Sequence, residues 1–283
     1  LHPRVRRQRQ MCIRDSLPSG AGLSSSASLE VLIGFIMRDL YGFDVTNVDL
    51  ALIGQQAEHE FCGVNCGIMD QFAVAMGKKD HALLLNTKTL DYEYIPITLC
   101  GVKLIIANSN KKHKLGESKY NERREECETA LEEISQAIGI HALCDLDEKT
   151  WNLYQVMVKD DDRKRRVKHA VTENARTKQA AAALKNGELK TFGELMKASH
   201  QSLSEDYEVT GDEMDALAEA AWQQDGVLGS RMTGGGFGGS TISLVKENFV
   251  DEFIQETGRI YTEKTGLSAD FYVVEIGDGP VVQ

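Results

Sequence analysis

Between Leu17 and Glu30 the chain reads Leu-Pro-Ser-Gly-Ala-Gly-Leu-Ser-Ser-Ser-Ala-Ser-Leu-Glu, a loop of small residues that passes directly into an amphipathic helix. Such a loop lets backbone N–H groups crowd round an anion, and the helix start adds the positive end of its dipole. Ser24, Ser25 and Ser26 supply consecutive hydroxyls suited to phosphate oxygens or to a phosphate-bound Mg²⁺. Beyond them Leu29, Leu32, Ile33, Ile36 and Leu40 fall on one helical face, which predicts that this face anchors the helix on a core; Gly42 is a natural stop. No Gly-Lys-Ser/Thr follows, so the cradle is not a Walker A loop.

The sixteen residues ahead of the loop have a different character. They hold five arginines against one aspartate, with no apolar periodicity and no signal-peptide core, and no strand leads from them into the loop. Residues 1–16 therefore read as a non-native leader and are set apart from the fold; the alternative is a basic arm that contacts nucleic acid. The chain as a whole is acidic, with a formal charge of −11, which argues against nucleic acid as the main partner and fits a soluble cytoplasmic protein. No apolar run approaches the roughly 20 residues of a membrane-spanning helix. Six cysteines are scattered without the density of a disulfide framework. Cys62 and Cys66 form a lone C-x3-C, more in keeping with reduced thiols than with zinc ligands.

Periodicity predicts a helix over 48–61, a break at Gly63–Gly67, a short buried helix over 68–76, strands at 81–86, 92–97 and 102–107, a polar loop at 108–119 and a helix over 121–138. The second half reads as helices at 166–185, 188–199 and 212–224, a glycine-rich segment, a strand at 241–245, a helix at 249–264 and a last strand at 269–276. Strands and helices mix without a regular βαβ repeat, which is α+β architecture. The expected domains are 17–120 and 121–283.

Four segments carry chemistry. The first is the serine loop. The second, Thr233-Gly-Gly-Gly-Phe-Gly-Gly-Ser240, formally contains G-x-G-x-x-G, yet a strand rather than a helix follows it, so the dinucleotide reading fails. Gly234, Gly235, Gly236, Gly238 and Gly239 around one Phe instead point to backbone packed against a ligand or another loop. In the third, Asp70 sits among Ile68, Met69, Phe72 and Val74, where a carboxylate is a cap, half of an ion pair, or a group that orients a hydroxyl and takes its proton. Glu58, by itself an ordinary helix residue, could complete an oxygen shell for Mg²⁺ with a loop serine, nucleotide phosphates and waters. The fourth, Asn108 to Cys127, is by itself a basic-polar loop leading into a solvated helix.

Together these segments resemble the galactokinases, sugar kinases of the GHMP superfamily (galacto-, homoserine, mevalonate and phosphomevalonate kinases). Pro18-x-Gly-Ala-Gly-Leu-Ser-Ser-Ser-Ala-Ser28 resembles the superfamily's nucleotide-phosphate loop, and Met232-Thr-Gly-Gly-Gly-Phe-Gly-Gly-Ser-Thr-Ile242 its late glycine motif. Cys66-Gly-Ile-Met-Asp-Gln-Phe72 and Ser118-x-Tyr-Asn-x-Arg-Arg-x-Glu-Cys127 narrow the likeness to galactokinases. The likeness runs in order from about Leu17 to Ile276.

The resemblance implies an N-terminal domain like domain 2 of ribosomal protein S5 and a ferredoxin-like C-terminal domain. It implies transfer of the ATP γ-phosphoryl group to the anomeric hydroxyl of galactose. Galactose and ATP are then the expected partners of a cytoplasmic monomer, whose charge and hydropathy leave out nucleic acid and membrane. Gly20, Ala21, Gly22, Leu23, Ser24, Ser25 and Ser26 would cradle the phosphates, Ser26 and Glu58 would ligate Mg²⁺, Asp70 would be the catalytic base, and Gly67, Asp70 and Tyr120 would contact the sugar. The five glycines of the late motif would lie near the active site. The family signature Gly-Arg-x-Asn-x-x-Gly-Glu-His-x-Asp has no counterpart here, so the expectation is an N-terminally truncated kinase, folded in part and nearly inactive. A related kinase of N-acetylgalactosamine, and a non-catalytic galactose sensor on the same fold, are the alternatives. Such sensors lose a Ser-Ala pair from the serine loop, whereas Ser26-Ala27 is intact and favours the enzyme.

Overall fold

The computed structural model describes residues 23–111 and 116–282. Helix α1 (Ser25–Tyr41) starts within the serine run and stops at Gly42, whose left-handed φ of 65° lets its N–H close on the Arg38 carbonyl. The helix was legible in the sequence, but the face it buries was not. Leu29, Leu32, Ile33, Ile36 and Leu40 are exposed, Leu40 by 70 %, while Ala27 and Val31 are buried. The reason is size. Ala27, Val31 and Gly34, at positions i, i+4 and i+7, form a slim stripe, and Gly34 meets Leu50 so closely that a Cβ there would be 3.0 Å from it.

Helix α2 (Asn47–Ala57) opens with a capping box: the Asp49 N–H donates to Thr46 Oγ1 at 3.1 Å, and the Thr46 N–H donates to Asp49 Oδ2 at 2.7 Å. It runs on as a single π turn, Glu58–Cys62, closed by Gly63. Helix α3 (Met69–Ala75) follows, then the paired strands β1 (His81–Leu85) and β2 (Tyr92–Pro96). Val31, Ala51, Ile68, Phe72 and Ala75 make the core of this unit. The chain's last stretch rejoins it, Asp278 Oδ1 accepting the Lys79 N–H at 2.7 Å.

The remaining elements are β3 (Val102–Asn108), α4 (Gly116–Ser135), α5 (Glu148–Tyr154), α6 (Asp161–Lys185), α7 (Leu189–Ser202) with a π turn Leu203–Tyr207, α8 (Asp212–Trp222), β4 (Val227–Thr233), β5 (Ser240–Lys246), α9 (Val250–Thr265) and β6 (Asp270–Val274). The four strands form an antiparallel sheet in the order β4-β5-β3-β6. Numbered from β3, that is the 4-1-3-2 order of a ferredoxin-like βαββαβ sheet, with five helices in place of the first one. Ile105 and Val245 from the sheet pack with Ala221 and Phe253 from the helices.

Several elements differ from expectation. Helix α4 begins at Gly116 rather than Asn121, which shortens the polar loop. Helix α5 and strand β4 were not foreseen. Strand β4 carries no apolar alternation, and its Gly229 lies against Gly193 of α7, where a Cβ on Gly193 would fall 2.1 Å from the Leu228 carbonyl oxygen. The molecule divides into a unit reaching Ile95 and resuming at Glu275, and a second unit, Pro96–Val274. This division precedes the boundary read at residue 120. Among the described residues no helix is long and apolar enough to cross a membrane.

Candidate active site

In the first unit three carboxyl groups gather where α1, the π turn after α2, and α3 meet. Ser24, immediately before α1, adopts a left-handed conformation (φ 52°, ψ 42°), and its side chain hydrogen-bonds the Asp70 carboxyl on the first turn of α3. Burial pushes Asp70 above the ordinary carboxylate range; the Ser24 bond pulls it back, and the Glu58 charge pushes it up again. Glu30, one turn along α1 from Ser26, is raised to about 7, chiefly by burial and then, against a bond from Gln71, by the charge and hydrogen bond of Glu58. Glu58 itself is buried at the start of the π turn.

Gln71 ties this cluster together. Its Nε2 donates to Glu30 Oε2 at 3.2 Å, and its Cγ lies against Gly54, where a Cβ would be 3.0 Å away. Among the described residues its Oε1 is buried with no partner. The loop carrying Gly67 is fixed from behind: Gln55 Nε2 donates to the Cys66 carbonyl at 3.1 Å, and His59 Nε2 lies 2.8 Å from the same oxygen. Burial, then the charges of Glu58 and Asp70, push the Cys66 thiol up, which disfavours a thiolate. Gly67 is exposed, and among the described residues nothing stands where its Cβ would be.

The donor set suits Mg²⁺ by its chemistry. It is all oxygen, it brings three carboxyl groups together, and among the described residues one buried amide oxygen has no partner. Among the described residues no three His, Cys, Asp or Glu side chains converge as a preformed cage. A phosphate-bound Mg²⁺ needs only one or two protein ligands. Ser26 is exposed on the first turn of α1, and Ser24 and Ser25 are half-buried. Gly20, Ala21 and Gly22 lie outside the described residues.

In the second unit Tyr120 on α4 stands beside the glycine motif, which is the loop joining β4 to β5. Its ring is 3.6 Å from where a Cβ of Gly235 would be. Lys119 Nζ lies 5.6 Å from the Phe237 ring centroid. Gly234, Gly236, Gly238 and Gly239 all take positive φ, and so does Phe237 at 59°. Sequence reasoning missed Glu30, Gln71 and the segment beneath the glycine loop. The first two had a usable signal: Glu30 is four residues after Ser26 on a helix, and Gln71 adjoins Asp70.

The model of the GHMP kinases N terminal domain matches residues 5–78, beginning inside the sixteen residues set apart above, and that of the GHMP kinases C terminal matches 180–259. A galactokinase of Ligilactobacillus salivarius is 51 % identical over 270 residues, covering 95 % of this chain and 70 % of the relative. One of Bacillus subtilis is 51 % identical over 264 residues, 93 % of this chain and 68 % of the relative. Among solved structures, Lactococcus lactis galactokinase complexed with galactose superposes with a TM-score of 0.90 at 45 % identity, covering 93 % of this chain and 68 % of that one. Leishmania major mevalonate kinase, at 17 % identity and a TM-score of 0.57, shares the fold.

Proposed function

This chain belongs to the galactokinase family of GHMP kinases, and on that premise we propose that it transfers the γ-phosphoryl group of ATP to the anomeric hydroxyl of D-galactose. The observation that carries the reading is Asp70: a carboxyl held by Ser24 at the start of α1, beside Glu58, on the segment that resembles the family's motif. In phosphoryl transfer the protein chiefly positions the reactants and offsets charge. The loop from Gly20 to Ser26 and the N-terminus of α1 would hold the nucleotide phosphates. Mg²⁺, held by Ser26 and Glu58, would neutralise charge on the transferring group. Asp70 would orient the sugar 1-hydroxyl and accept its proton as the new O–P bond forms and the bond from the γ-phosphorus to the β,γ-bridging oxygen breaks, with ADP as the leaving group. Gly67 and Tyr120 would contact the sugar.

The test is galactose-dependent ADP release, with the product followed by ³¹P NMR. We expect weak ADP release that is still saturable in galactose and absent with N-acetylgalactosamine, with a further loss of roughly a hundredfold or more in kcat for Asp70→Asn. ADP release that ignores galactose, or an Asp70→Asn variant as fast as the parent, would refute the reading.

A further inference from the structure

The glycine loop is braced from below by a segment that the reaction does not itself use. The Phe237 N–H donates to the Val209 carbonyl at 2.7 Å, and Gly236 lies so close that a Cβ there would be 2.2 Å from the same oxygen. The Val209 N–H in turn donates to the Leu203 carbonyl at 3.1 Å, closing the π turn after α7. The far side of that turn is held by two guanidinium groups. Arg123 Nε donates to the Tyr207 carbonyl at 3.0 Å, and Arg166 Nη1 donates to the Asp206 carbonyl at 2.7 Å. Glu126 accepts from both, at 3.1 Å from Arg123 Nη1 and 2.7 Å from Arg166 Nε, and Glu208 accepts from Arg166 Nη2 at 2.6 Å.

Arg123 is one helical turn beyond Tyr120 on α4. The contacts therefore form a closed circuit within the second unit: from Tyr120 along α4 to Arg123, across to Tyr207, up through Val209 to Phe237, and back by Gly235 to the Tyr120 ring. A guanidinium holds such a circuit in a way an ammonium does not, because its fork addresses a carbonyl and a carboxylate at once in fixed directions. The circuit has little slack, since Phe237 and Glu208 both sit at positive φ without being glycine.

We propose that Arg123 is a positioning residue that sets Tyr120 against the glycine loop, and through it the affinity of this site for the sugar. The proposal rests on the reading of Tyr120 as a sugar contact. Arg123 touches no substrate; it acts through the Tyr207–Val209 backbone. Its loss frees both arms of the circuit, so the glycine loop opens more often and Tyr120 loses its fixed distance from Gly235.

The experiment compares the full chain with its Arg123→Ala, Arg123→Lys and Tyr120→Ala variants by hydrogen exchange, and by calorimetric titration with galactose and with ATP. Arg123→Ala should raise amide exchange over 234–239 and weaken galactose binding roughly tenfold, the loss of about one charge-assisted hydrogen bond, with ATP affinity unchanged. Arg123→Lys keeps the charge but not the fork, so it should move both readouts the same way by less. It also serves should the alanine variant not fold. Unchanged exchange over 234–239 in a folded Arg123 variant overturns the brace whatever Tyr120 does. Raised exchange with unchanged galactose affinity, while Tyr120→Ala weakens it, overturns the positioning role and leaves Tyr120 as a contact. Galactose affinity unaffected by Tyr120→Ala refutes the underlying reading instead, and with it the effect on the sugar.

Discussion

Nδ1 of His200 accepts the backbone N–H of Met232 at 3.0 Å, inside the fold and one residue before Thr233 leads into the glycine motif. A backbone amide can only donate, so that nitrogen carries no proton. Nε2 then bears the hydrogen and gives it to Asp215 Oδ1 at 3.0 Å. One imidazole thus ties the end of α7 to α8 and to strand β4. His200→Ala should cost about 3 kcal/mol, since it leaves a buried N–H without a partner and opens a cavity. Urea unfolding measures this; a loss below about 1 kcal/mol would show that water replaces the ring.

Within the glycine motif, neighbouring positions should tolerate a methyl group differently. A Cβ on Gly235 meets only the edge of Tyr120 at 3.6 Å, an ordinary contact. On Gly236 it would sit 2.2 Å from the Val209 oxygen, at a φ of 86° that disfavours alanine in any case. Gly235→Ala should hold the parent's thermal midpoint within a degree or two, whereas Gly236→Ala should lower it clearly and expose the loop to proteases. Equal behaviour of the two variants would contradict the close approach to Val209.

How far the sequence can be read follows from where its signals are local. Helix α1, its stop at Gly42, the break at Gly63 and the buried strand β3 follow from periodicity and from backbone needs of single residues. So does the strand after the glycine motif, which removed the dinucleotide reading. What failed depended on partners distant in sequence. The buried face of α1 is chosen by the close approach of α2 and α3, which favours Ala27 and Val31 over the larger Leu32 and Ile36. Strand β4 exists because β5 pairs with it, despite a glycine in its middle. Asp70 could be picked out by its apolar neighbours, whereas its companions Glu30 and Gln71 were signalled only by their nearness in sequence to Ser26 and Asp70. Their importance lies in a meeting of three helices that spacing alone does not encode.

The face of α1 offers a direct check. Val31 is fully buried against α2 and α3, and Val31→Ala should cost about 2 kcal/mol for the two methyl groups removed. Leu40, on the other face, is 70 % exposed, and Leu40→Gln should change stability by no more than about 0.5 kcal/mol. Urea unfolding of both variants at one pH decides. A larger loss at Leu40 than at Val31 would restore the face that periodicity favours.

His169 gives the second unit a dependence on acid. Ser202 donates its one hydroxyl hydrogen to Asp206 Oδ2 at 3.0 Å, so His169 Nδ1, 2.9 Å from that hydroxyl, must be the donor to it. The ring stacks on Tyr207 at 4.6 Å. Burial holds its pKa down from 6.5 to about 4, the neighbouring Glu173 charge only partly opposing this. Between those two values the unfolded chain binds a proton that the native protein does not, so stability rises with pH across this window. The contribution is complete above pH 6.5 and is lost as the pH falls through about 4. At about 1.4 kcal/mol per unit, it amounts to roughly 3 kcal/mol between neutrality and pH 4. Other groups titrate in the same range, so the comparison must be with His169→Gln, which has no proton to gain. That variant should be less stable at pH 7, having lost the stack, and should lose less on acidification. Parallel stability curves for the two proteins between pH 7 and 4.5 would show that His169 is protonated without penalty, and that its buried donor role is wrong.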